Sequence, residues 1–558
     1  MTRRFSVPEG VWLRGSFAVL LAAGLVPPIS AAAQVPAARE GDARTAAVDV
    51  LHYDIRLELP SEGRTVRGRT GILFELLEPG LRELPLDFGA LTVDSVHVDG
   101  AAAAFRHRPD RLDVQLPPAE RGARPEAVIW YHGEPVDGLF LQANRHGDDS
   151  VFADNWPNRA RHWFPGVDHP SDKATVEFEV EAPSVLDVVA NGYLRDAVQV
   201  GRDRTRTRWT VTAEIPTYCM VVGATDFAVT RVGEVDGVEV TSWAFPPDSA
   251  AAAAAFARAP EILAFYDSLF GPFPYEKLAH VQSSTRFGGM ENSSAIFYDE
   301  KRVGAATGRG ENGDDMTDLV AHETVHQWFG DAVTEKDWHH LWLSEGFAEY
   351  FAAVFFEFHG GEQGRGAAEL RRRMAQAAAT AISYFGETGE AVYNPGERDY
   401  LELLNPNNYQ KGAWILHMLR RQVGDPVFFE GIQSYYATFR DGTAWTDDFE
   451  RVMEEASGLD LGWFFEQWVR RPGHPVLAIE HAPAGRGRAV VTLRQEQQVA
   501  PFRFPLDLEL GWRSGTRREV VSVQGLETSW TFETPEPLET VVLDPDGWLL
   551  HEVQRRSR

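Results

Sequence analysis

His322-Glu323-Thr324-Val325-His326, followed after eighteen residues by Glu345-Gly346-Phe347-Ala348-Glu349-Tyr350, is the stretch on which the reading of this chain turns. On a helix, positions i and i+4 lie one turn apart on the same face. His322 and His326 can therefore offer two imidazole nitrogens to one metal ion, with Glu323 beside them to take a proton from water. A catalytic zinc usually takes three protein ligands and keeps a fourth position open. Eighteen residues suffice to leave one helix, turn and begin another, so Glu345 can return as the third ligand. A His-Glu-x-x-His string alone arises by chance on exposed helices. The carboxylate at the matching offset, opening a helix-forming segment, makes this a metal centre, and a catalytic one. The motif helix is expected to begin at Asp314 or Asp315, whose side chains can cap free amides, and to end at Gly330.

The chain has 558 residues, which suggests about three or four domains. Its 44% hydrophobic and 24% charged residues are those of a globular protein. A net charge of −28 argues against nucleic acid as a partner. Residues 1–33 read as an export signal: Arg3, Arg4 and Arg14 form a basic start, 17–26 is apolar but too short to span a bilayer, and Ala31-Ala32-Ala33 offers a cleavage site. The expectation is an exported protein, periplasmic or extracellular, with no stable membrane span in the mature chain. Cys219 is the only cysteine, so intrachain disulfides are excluded, and it reads as a buried strand residue.

Outward from the motif, the pattern divides the chain. From 46 to 245 it is mostly β. Tyr53, Ile55, Leu57 and Leu59 alternate with polar residues, as do Val176, Phe178 and Val180. From 246 to 471 it is mostly helical. One helix is expected to run from an Asp248 or Ser249 cap through the alanine tract to Phe270, and another to start at a Thr446 cap. From 474 to 558 it is β again, with Leu506, Leu508 and Leu510 alternating, as suits a small antiparallel sandwich.

Two further segments carry a family resemblance: Gly288-Gly289-Met290-Glu291-Asn292 before the metal motif, and Tyr409-Gln410-Lys411-Gly412 after it. With the metal motif, in that order, they make the chain resemble the aminopeptidase N and leukotriene hydrolase family of zinc aminopeptidases. Gly271-Pro272-Phe273-Pro274-Tyr275 and Phe464-Phe465-Glu466-Gln467-Trp468 extend the likeness over most of the mature chain. The resemblance implies an α+β multidomain protein: a saddle-like β-rich N-terminal domain, a thermolysin-like catalytic domain and a C-terminal antiparallel β-sandwich. It implies one Zn2+ per chain on His322, His326 and Glu345, with Glu323 as general base. Glu349 resembles the carboxylate that orients a ligand histidine. Glu291 matches the glutamate that binds a substrate's free α-amino group, and Gly288 and Gly289 match the backbone along which the peptide lies, with Met290 and Asn292 completing that substrate-binding stretch. Tyr409 matches the tyrosine that stabilises the oxyanion. The implied substrates are peptides with a free N-terminus. The oligomeric state is left open.

The chain departs from the family where Trp156 stands in place of a glutamine or glutamate that helps hold the substrate amine. Trp156 is expected to line the first side-chain pocket, and Asp154 to replace part of the lost contact. With about 85 residues after the helical part, the chain is expected to be a short form without the family's large helical C-terminal domain, and its cleft to be more open. His339 and His340 are expected to pack rather than bind metal. The alternatives are a zinc endopeptidase or another hydrolase on the same frame, and an inactive binding scaffold.

Overall fold

Tyr53, Ile55 and Leu57 turn inward along the strand Val48–Glu58, and Val176, Phe178 and Val180 do the same along Lys173–Pro183; none is more than 2% exposed. These two segments, read separately from their alternation, lie side by side in parallel with Ile55 opposite Phe178. They are the middle of an eight-stranded sheet that continues on one side through Arg204–Pro216 to Tyr193–Val200, and on the other through Val66–Leu76, Glu126–Gly133 and Thr92–Val98 to Ala101–Ala102. The computed structural model describes residues 47–306, 315–359 and 366–554. The expected export signal and Asp314 lie outside the described residues, as does the side chain of Asp315. The architecture is α+β: a β-rich N-terminal part, a helical core carrying the metal motif, and C-terminal β-sheets.

A five-stranded sheet supports the site. Its order is Ala228–Val235, Val238–Ala244, Lys277–Ser283, Ala295–Asp299 and, at the edge, Gly289–Met290. The division expected at residue 245 cuts through this sheet, because Val238–Ala244 pairs in parallel with Lys277–Ser283, Thr241 opposite Ala279. The change from β to helical pattern at Phe245 is a change of element, not of sheet.

The helix expected from the alanine tract to Phe270 is two helices, α1 (Ser249–Ala255) and α2 (Ala259–Phe270). Pro260, which lacks an N–H, stands in the first turn of α2 and stops the hydrogen-bond ladder from running through. Asp248 precedes α1 without capping it; its carboxylate accepts from His146 and Gln282 instead. After α3 (Glu300–Ala305) come the motif helix α4 (Asp315–His326), α5 (Trp342–His359) and α6 (Gly366–Thr388). Then follow α7 (Gly412–Val423), α8 (Asp425–Phe439) and α9 (Thr446–Ser457). The motif helix ends at His326, one turn earlier than expected, and Gly330 with φ +124° turns the chain beyond it.

Phe329, Phe347, Tyr435 and Phe449 interlock behind α4 and α5, with Phe329 and Phe347 centroids 4.8 Å apart. Each such buried side chain contributes about 1.5–3 kcal/mol, enough to fix how the two helices meet. α5 and α7 touch at glycines: a Cβ on Gly346 would lie 2.8 Å from the Cα of Gly412. The N-terminal part is clamped to the helices by Lys173, whose Nζ donates to the carbonyls of Asp331, Ala332 and Gly442. The C-terminal strands form a four-stranded and a three-stranded sheet, and Leu506, Leu508 and Leu510 are buried along the latter's strand Phe504–Trp512. Their pairing is antiparallel except for Glu552–Val553, which runs parallel to Val476–Pro483. No helix of the described residues is long and apolar enough to cross a membrane.

Candidate active site

α4 presents His322 and His326 on one face, and α5 brings Glu345 against them. His326 Nε2 lies 3.1 Å from His322 Nε2 and 3.3 Å from Glu345 Oε2, and His322 Nε2 lies 3.2 Å from that same oxygen. Three donors arranged tetrahedrally about a zinc ion, with its usual bonds of about 2.0–2.2 Å, stand about 3.3 Å apart. The triangle therefore has the size of one zinc site, and two imidazoles with a carboxylate are the donors of a catalytic zinc rather than a structural one. Two neutral imidazoles facing nitrogen to nitrogen would set lone pair against lone pair, a contact that a shared cation turns favourable.

Three supports hold the donors in place. His326 Nδ1 lies 3.0 Å from Ser344 Oγ and 3.2 Å from the Phe329 carbonyl, which fixes the ring with Nε2 toward the metal position. A side chain on Gly330 would collide there, since its Cβ would lie 2.5 Å from Ser344 Oγ. Tyr409 Oη donates to Glu345 Oε1 at 2.5 Å, leaving Oε2 to face the imidazoles. Tyr409 reaches that position from a single π-helical turn, Asn407–Lys411, of the kind found at functional sites. Glu349 stands 3.9 Å from His322 Nδ1, beyond hydrogen-bond reach, and accepts from Gln410.

A second cluster shares His326: the carboxylates of Glu291 and Glu323 come within 4.8 Å of it and of each other. Burial lifts the Glu323 carboxyl to about 7, against the pull of His322 and His326. Burial raises Glu291 as well. Burial also opposes charge on Glu345, but the two imidazoles outweigh it and hold its carboxyl well below the usual range. Glu323 lies against the bare face of Gly289, where a Cβ would fall 2.1 Å from its Oε1. That glycine makes room for the buried acid as well as for any ligand. Gln327, the residue after His326, fixes the neighbouring loop: its Nε2 donates to the Glu291 carbonyl and its Oε1 accepts from Ser294 N.

These groups line one cavity of about 350 Å³, together with Gly288, Gly289, Met290 and Tyr409. Asn292 is fully buried outside that lining, because it opens the tight turn in which Ala295 N donates to its carbonyl. Trp156 does line the cavity, packed edge-on against Trp338 with centroids 5.3 Å apart. Asp154 does not, contrary to expectation: it is buried in an ion pair with Arg159, with Arg286 3.8 Å from its other oxygen, so its charge is already met. His339 pairs with Asp337, and His340 with Thr446, both away from the metal position. Thr446 is thus no helix cap, since its hydroxyl bonds His340 and Trp342, while Asp448 accepts from the Trp445 N–H at the start of α9. Cys219 sits in a buried 3-10 turn rather than a strand, its thiol on Asp331.

Ser344, Gln327 and Arg302, which also lines the cavity, escaped sequence reasoning. The first two are immediate neighbours of the ligands, which was the available signal; Arg302 gives none.

A model of the Peptidase family M1 domain matches residues 254–468, and one of the peptidase M1 N-terminal domain matches 50–219. A probable aminopeptidase of Sulfurisphaera tokodaii is 26% identical over 78% of this chain and 56% of its own. The glutamyl aminopeptidase of Homo sapiens is 28% identical over 69% of this chain and 41% of its own. The chain spans about half the length of the curated relatives it matches. A crystal structure of an M1 zinc metallopeptidase from Deinococcus radiodurans shares the fold, with a TM-score of 0.65 and 22% identity over 77% of this chain and 96% of that one.

Proposed function

The chain belongs to the M1 family of peptidases, and from that we propose that it is a zinc-dependent aminopeptidase that hydrolyses the first peptide bond of peptides with a free N-terminus. The observation that carries this reading is the meeting of two clusters at His326: a triangle of zinc donors, and beside it two buried carboxylates. A zinc ion on His322, His326 and Glu345 supplies a Lewis acid that polarises the scissile carbonyl and makes water acidic enough to be deprotonated near neutral pH.

The chain's own residues do the rest. The Glu291 carboxylate pairs with the substrate's ammonium group and so counts one residue from the end, turning binding energy into position. Glu323 takes the proton of the attacking water and passes it to the leaving amine. Tyr409 turns its hydroxyl proton from Glu345 toward the oxyanion as charge gathers there. Trp156 and Met290 give the first side chain an apolar wall.

Alanyl peptide amides with a free or an acetylated N-terminus test this reading. Only the free one should be cleaved, and a chelator should abolish the cleavage. Equal cleavage of both would favour an endopeptidase on the same frame. We also propose, from the basic and apolar pattern of residues 1–33, that the protein is exported; cell fractionation with N-terminal sequencing should find it outside the cytoplasm, beginning near Gln34.

A further inference from the structure

We propose that Arg302 binds a carboxylate on the second or third residue of the substrate, supplied by the free C-terminus of a short peptide or by an acidic side chain, and so directs the site toward such peptides. The proposal rests on the aminopeptidase reading above. The direction of the substrate follows from the edge strand. Gly289 pairs with Tyr298, Met290 with Phe297, and Gly288 O accepts from Asp299 N. In an antiparallel ladder the peptide groups of successive residues face alternate sides. Gly288 and Met290 therefore bond inward, and Gly289 and Glu291 face the open edge. Gln327 takes the Glu291 carbonyl, which leaves the peptide groups of Gly289 for a substrate strand.

A peptide anchored by its amine at Glu291 and paired at Gly289 runs on toward Gly288. At about 3.3 Å per residue, Gly288 stands about 10 Å from Glu291, a span of roughly three residues. Arg302 is waiting there. A Cβ on Gly288 would lie 3.0 Å from its Nε and 3.3 Å from its Nη2, so the guanidinium lies over the bare glycine, and both residues line the cavity.

Arg302 is exposed, and no described carboxylate pairs with it. The other arginine of the lining, Arg373, is held by Asp318 and Glu369. Glu291, Glu323, Glu345, Glu349 and Asp318 make the remaining walls acidic. A substrate carboxylate lying beyond the metal position is thus repelled by these side chains and met by the one lining guanidinium that no described carboxylate holds, whose planar fork matches it in two parallel hydrogen bonds.

The test compares R302A and R302K with the unmodified zinc-loaded protein on four substrates: trialanine, trialanine amide, Ala-Glu amide and Ala-Gln amide. R302A should lower kcat/KM, through KM, at least ten-fold more on a carboxylate-bearing substrate than on its neutral partner, and R302K should recover part of the loss. Loss confined to trialanine assigns the C-terminus, and loss confined to Ala-Glu amide assigns the side chain; either supports the proposal. Equal change across all four, or none, overturns it while leaving the aminopeptidase reading intact. An unmodified protein that cleaves none of them overturns both.

Discussion

Gly346 and Gly412 meet backbone to backbone, and the residues that depend on this contact are Glu345, one position before the first, and Tyr409, three before the second. Adding a methyl group at Gly346 would drive α5 and α7 apart, because the atom it meets is backbone and cannot turn aside. G346A should lose about 1–3 kcal/mol of stability, the usual range for overpacking, and should lose activity as Tyr409 is drawn off Glu345. Thermal melting and kcat measured together check this; an unchanged melting temperature with full activity would show that the helices yield freely.

Tyr409 itself can be separated from that packing. Y409F keeps the ring, which lies parallel to His322 at 6.1 Å, and removes only the hydroxyl. Loss of one oxyanion donor costs about 10²–10³ in kcat. The expected result is a fall of that size with zinc content unchanged. A variant that instead loses its zinc would make the hydroxyl a support of Glu345 rather than of the reaction.

Ser344 tests the orientation of a ligand. S344A removes one of two acceptors at His326 Nδ1 and leaves the Phe329 carbonyl. Groups of this kind govern zinc affinity by about 10–100-fold, and the surviving acceptor places S344A at the low end. Competition with a chromophoric chelator should show zinc binding weakened about ten-fold, with kcat of the loaded enzyme little changed.

Asp337 and His339 give stability a dependence on pH that does not involve the metal ligands. Burial opposes charge on Asp337, yet the His339 ring at 2.5 Å and the His339 N–H hold its carboxyl down to about 2. His339 is buried as well, but Asp337 raises it above its ordinary value. The aspartate's contribution is therefore complete above about pH 3.9 and is lost as pH falls through about 2. That of the histidine is complete below about pH 6.5 and fades as pH rises through its folded value. D337N should cost about 1.5–3 kcal/mol near pH 5.5, the worth of a charged hydrogen bond, and less at pH 9. Urea unfolding at both values measures the difference; an equal loss at both would deny that the pair is charged.

Local periodicity made much of this molecule legible. His322 and His326 share a face because of helical pitch, and Ile55 and Phe178 point inward because of strand pleat, so both could be read without knowing any neighbour. What could not be read depended on partners far away in sequence. Thr446 has the chemistry of a cap, but His340 and Trp342 claim its hydroxyl. Asp154 looked available until Arg159 neutralised it. Strand Val238–Ala244 pairs with the strand before it, and carries no sign that its other edge pairs with Lys277–Ser283. Arg302 is an ordinary exposed arginine in the sequence, and only its position over Gly288 distinguishes it.

Lys173 opens a central strand of the first sheet and ends among three carbonyls beside the metal motif. Burial pulls its ammonium group down to about 8, but its three hydrogens have three acceptors. A rivet of this kind ties the sheet to the segment just beyond His326. Drawing the sheet away there would leave a buried ammonium group without its three acceptors, so strain at this end of the strand is felt directly by the turn that follows the motif helix.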